Sequence, residues 1–180
     1  MTRHHILGNG SSTTDRLLTR TIILLCASLL LLMFFGQALN HATHASLTFD
    51  EGPHLAVGYT TLRTGDLRLQ PVHIHPPLAN MLAALPLMLQ QDLPNPEQIP
   101  GWDSDSLSAI TDAVIWQYPN PERIAFAGRL PIVWLGMTLA ALVFRWAADY
   151  GGLVTGLIAL ILLVFDPNAV AHSSLITTDI

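Results

Sequence analysis

The chain has 180 residues, of which 51% are hydrophobic and 12% charged, with a net charge of −5. That charged share is about half the usual value of roughly 25%, which points to a membrane protein. Without a basic stripe or basic-aromatic interleaving, nucleic-acid binding is excluded. The single Cys26 lies in an apolar run and has no intrachain disulfide partner.

Residues 1–20 are polar, carry Arg3, Arg16 and Arg20, and read as a cytoplasmic tail. The Gly/Ser/Thr-rich stretch from Gly8 to Thr14 lacks the lysine of a phosphate loop, and His4-His5 reads as incidental. Residues 21–39 are almost wholly apolar. At 1.5 Å per residue they extend roughly 28 Å, near the hydrocarbon thickness of a bilayer. The run exceeds a signal-peptide core, so it is taken as a first transmembrane helix rather than a leader ending at Ala45.

Residues 40–123 form a long polar segment with nine acids against Arg63, Arg68 and Arg123. The positive-inside rule puts this loop outside and the N-terminus in the cytoplasm. Leu55, Tyr59 and Leu62 fall at i, i+4, i+7, which predicts a short amphipathic helix stopped by Gly65. Pro76-Pro77 predicts the start of another, running to about Gln91, with Leu78, Met81, Leu82, Leu85 and Leu89 at helical spacing. It is short for a span, so it is expected flat at the interface or packed against the bundle. Pro94 to Trp102 is a Pro-rich turn region, and Leu107 to Tyr118 predicts a further short helix.

Residues 124–148 are expected to form a second transmembrane helix interrupted by Pro131, ending near Arg145. Tyr150-Gly151-Gly152 is a tight turn. Residues 153–172 are expected to form a third transmembrane helix, with a break at Asp166-Pro167. Residues 173–180 then begin a second extracytoplasmic segment. The fold expected is all-α: multi-pass transmembrane helices with a long extracytoplasmic loop that carries short amphipathic interfacial helices. The loop acids and Asp179 fall on one face of the membrane.

The loop holds the chemistry-bearing residues: Phe49-Asp50-Glu51-Gly52-Pro53-His54, then Tyr59, Gly65-Asp66 and His75-Pro76-Pro77-Leu78. This string resembles the first extracytoplasmic loop of the protein O-mannosyltransferase and aminoarabinose-transferase superfamily, lipid-carrier-dependent glycosyltransferases of the membrane C-type fold. Asp50-Glu51 and His75-Pro76-Pro77-Leu78 match. Gly128-Arg129-Leu130-Pro131 resembles the Arg-containing start of the family's second span. Phe165-Asp166-Pro167 through His172-Ser173 to Thr178-Asp179 resembles the end of the third. The likeness covers residues 22–180, and its pieces occur in the family's order. The many further spans usual in that family lead us to expect an N-terminal part of such an enzyme, inactive alone.

The resemblance implies transfer of a sugar from a polyprenyl-phosphate donor to a hydroxyl acceptor (protein, lipid or polysaccharide) at the outer face of the plasma membrane. It makes Asp50 the base, with Glu51 and Asp179 as further catalytic carboxylates. Arg129 and His75 become contacts for the departing phosphate. Each has a plainer alternative: Asp50 or Asp179 as a helix N-cap, Glu51 as a helix-dipole complement, Arg129 as a snorkelling side chain, His172 as interfacial structure. Glu51, His54 and His75 are weak candidates for a divalent metal ion, because Gly52 and Pro53 spoil a regular helical pair. Two other classes of function remain: a non-catalytic membrane anchor or subunit whose outer loop binds a partner, and a lipid-linked sugar flippase. The second is disfavoured by the scarcity of ionisable residues within the spans.

Overall fold

The computed structural model describes residues 13–73 and 75–177. Helices dominate, and there is no strand among the described residues. The order is α1 (Thr13–His44), α2 (Glu51–Thr64), α3 (Pro77–Ala84), α4 (Leu107–Thr111), α5 (Pro121–Gly151), α6 (Leu153–Val164) and α7 (Pro167–His172). Short 3₁₀ turns at Leu85–Leu89 and Pro96–Gln98 and a π turn at Asp112–Trp116 complete the connections.

Helices α1 and α5 are long and apolar enough to cross a membrane. Their 32 and 31 residues extend about 48 and 46 Å, beyond the roughly 30 Å hydrocarbon layer. Leu25, Leu29 and Leu32 on α1 are exposed, as are Trp134 and Trp146 on α5. The helix spans Thr13–His44, so the last eight residues of the expected polar tail are helical. The hydroxyls of Thr19 and Thr21 donate to the carbonyls of Asp15 and Leu17 within it, which lets a polar stretch continue the apolar helix.

One further expectation changes. Helix α5 continues through Pro131 instead of being interrupted there; the proline removes one donor but its flanking turns hold. The run over 153–172 divides at the expected break into α6 and α7. At 12 residues, α6 extends only about 18 Å. Asp166 ends the run: its carboxylate accepts the Asn168 N–H at 2.8 Å, and Pro167 opens α7.

α1, α5 and α6 pack through small and branched residues, with Ala27, Phe34, Ala140, Leu160 and Val164 forming one buried cluster. A second, larger core lies under the long loop. It gathers Leu55, Tyr59, Leu87, Ile110, Ile115, Ile124, Ile132 and Ile176. Helix α2 matches its expected stripe: Leu55 and Tyr59 are buried, Leu62 partly so, and Gly65 ends the helix at φ +74°, where a side chain would be strained.

Helix α3 starts at Pro77 as expected, and its buried face is the one with small side chains. Asn80, Ala83 and Ala84 are inside, while Leu78, Leu85 and Leu89 are exposed. Close approach to α2 explains this. A β-carbon at Gly58 would collide with the Asn80 carbonyl oxygen, so only small residues fit the seam, and the leucines are left outward.

Candidate functional site

The acids Asp50 and Glu51 stand next to each other at the start of α2, yet meet opposite environments. Glu51 is fully buried. Arg129, on α5 and 78 residues away, grips it with two hydrogen bonds: Nε donates to Oε1 at 2.7 Å and Nη2 to Oε2 at 2.6 Å. The carboxylate also accepts the Thr48 N–H and hydroxyl at 2.9 and 3.2 Å and the Ile176 N–H at 3.1 Å. The remaining guanidinium donors reach the carbonyls of Ala42 and Ala45, both at 2.8 Å, and Ser46 at 3.0 Å. A guanidinium has five N–H groups, and all five are used here.

This clamp ties together the end of α1, the start of α2, α5 and the segment after α7. Burial pushes the Glu51 carboxyl upward. The Arg129 hydrogen bonds, the Thr48 and Ile176 contacts and the Arg129 charge outweigh that, and hold it below the usual glutamate value. Glu51 and Arg129 therefore sit in the frame of the site rather than facing a ligand. Sequence spacing gave no pairing signal. The available clue was an arginine inside an apolar helix beside Gly128, a cation that needs a buried acid.

Asp50 is exposed, and it makes no side-chain cap to α2. It lines an open cavity of about 420 Å³ together with His54, His75, Asn80, Leu107 and Thr177. Helix α2 presents Asp50 and His54 one turn apart. The turn before α3 brings in His75, whose N–H donates to the Pro71 carbonyl at 2.9 Å. The two imidazoles stand edge to face with centroids 6.2 Å apart. Thr177 reaches the cavity from the far end of the chain, and its hydroxyl has no hydrogen-bond partner among the described residues.

The structure thus brings together Asp50, His54 and His75, named from sequence, and adds Asn80, which sequence reasoning missed, and Thr177, from the terminal stretch expected on the same face as the loop acids. Asn80 carried a faint signal, as a polar residue in an apolar helix directly after the His-Pro-Pro-Leu run. Asp179 lies outside the described residues, two positions beyond Thr177. No cluster of three His, Cys, Asp or Glu side chains suited to a metal ion occurs among the described residues. Of the three weak metal candidates, Glu51 has its carboxylate committed to Arg129, which leaves His54 and His75 at the cavity.

A carboxylate, two imidazoles and neutral hydrogen-bonding groups around an open, partly apolar cavity can accept a proton, contact an anion and hold a hydroxylated ligand. No protein-family model, curated protein or solved structure matches this chain.

Proposed function

We propose that this protein serves in a membrane glycosyltransferase that moves a sugar from a polyprenyl-phosphate donor to a hydroxyl acceptor, with inversion, at the outer face of the plasma membrane. Asp50 takes the proton of the acceptor hydroxyl. The acceptor oxygen bonds to the anomeric carbon, the bond from that carbon to the phosphate oxygen breaks, and the polyprenyl phosphate departs. His75, with His54 beside it, contacts the departing phosphate. Glu51 and Arg129 act as positioning residues that fix the N-terminus of α2, and hence Asp50.

One observation carries this reading: Asp50 is free of a capping role and shares a cavity with His54 and His75, the latter 25 positions away in sequence. The cavity's apolar wall, with Val57, Leu69 and Leu107, supports a ligand that is only partly polar. The test is Asp50→Asn in native membranes supplied with polyprenyl-phosphate sugars and hydroxyl acceptors. Transfer should fall by about 10²–10⁴-fold, the usual contribution of a general base. Undiminished transfer would refute Asp50 as the base.

A second reading, a membrane anchor whose outer loop binds a partner, is favoured by Phe49, which is 93% exposed beside Asp50. It predicts that Phe49→Ser releases a co-purifying subunit while Asp50→Asn changes nothing.

A further inference from the structure

We propose that Asn80 binds a neutral hydroxyl of the transferred sugar, with Gln70 and Thr61 as its positioning residues; the assignment rests on the glycosyltransferase reading above. Asn80 is only 1% exposed, yet it lines the Asp50–His54–His75 cavity. Its backbone carbonyl lies against Gly58 of α2, so we assign the cavity contact to its side chain. A buried amide in such a place is costly unless its groups are paired.

The pairing is a relay across three segments. Asn80 Nδ2 donates to Gln70 Oε1 at 2.9 Å, and Gln70 Nε2 donates to Thr61 Oγ1 at 3.1 Å. All three residues are buried. The relay engages the nitrogen of the Asn80 amide and leaves its oxygen outside the chain of bonds. An amide oxygen accepts from an O–H group and repels a phosphate oxygen, which has no proton to give at full ionisation. The cavity therefore divides its labour by chemistry: the phosphate belongs at His54 and His75, the acceptor hydroxyl at Asp50, and a hydroxyl of the donor sugar at Asn80.

The test compares a polyprenyl-phosphate hexose with its set of mono-deoxy analogues, using the full chain in native membranes. Wild type should discriminate against one mono-deoxy donor by about tenfold or more, the worth of a neutral hydrogen bond. Asn80→Ala should lose about tenfold in kcat/KM on the parent sugar and lose that single discrimination, while the one deoxy donor is turned over as before. Gln70→Glu keeps an acceptor for Asn80 Nδ2 and should retain the discrimination; Gln70→Ala should weaken it. If Asn80→Ala does not accumulate, Asn80→Ser supplies the same comparison. An equal slowing of every donor, or no change on any, would overturn the assignment. Asp50→Asn run alongside separates the two claims: a dead Asp50 variant with an unchanged Asn80 profile sinks only the Asn80 inference, and an active Asp50 variant sinks the reading beneath it.

Discussion

Adjacent carboxylates at the start of α2 divide the molecule into a frame and a cavity. Glu51 is enclosed by Arg129, Thr48 and Ile176; Asp50 stands exposed at a cavity shared with two histidines. One backbone step turns a side chain by about 100° on a helix, and that step separates a residue that must be charged to keep the fold from one that is at liberty to act. The contrast teaches that an acidic pair in sequence is not evidence of a paired site. Burial and partner count decide which acid is tied into the fold and which stays exposed.

The largest effect should come from breaking the frame. Arg129→Ala leaves Glu51 buried and unpaired, and should cost about 3–5 kcal/mol of stability, read as a lower unfolding temperature in detergent or loss of folded protein. The frame should also be acid-sensitive. Because the Glu51 carboxyl is lowered in the folded chain, the unfolded chain binds its proton first as pH falls. The stabilisation is present above the unfolded glutamate value and is lost as pH drops through the folded one. Glu51→Gln should flatten that acid limb in unfolding measured against pH, and a retained slope would assign it to other groups.

A smaller cost should follow at the seam beneath the cavity. Gly58→Ala drives a methyl into the Asn80 carbonyl oxygen, and should destabilise by about 1–3 kcal/mol through overpacking. The smallest effect belongs to the cavity acid. Asp50→Asn should move stability by no more than about 0.5 kcal/mol, as surface substitutions do, even as it removes transfer. A large stability loss there would erase the distinction between the two acids.

Much of the local architecture was legible. Pro77 opens α3, Gly65 ends α2, and Asp166-Pro167 breaks the last apolar run, because caps, prolines and left-handed glycines act within a few residues. The partner of Glu51 was not legible, since 78 residues separate it from Arg129 and no local rule links them. The buried face of α3 was not legible for a related reason: the seam is set by Gly58 on another helix, which no local pattern in 77–91 reports. Of the cavity, Asp50, His54 and His75 were foreseeable from the motif. Asn80 was not, because its place depends on how α3 packs; for Thr177 only the shared face was foreseeable, not the contact itself.

The Glu51–Arg129 clamp also has a consequence in time. Glu51 leaves the ribosome well before Arg129, and 78 residues at roughly 5–20 residues per second take about 4–16 s. Over that interval the acid has no guanidinium to bury against, so the N-terminal end of α2 stays hydrated and unsettled. Arrival of α5 closes the pair and locks the carbonyls at the end of α1 in the same event. The clamp thus makes settling of the segment between α1 and α5 conditional on delivery of α5, and a nascent chain halted before Arg129 carries an acid without its partner.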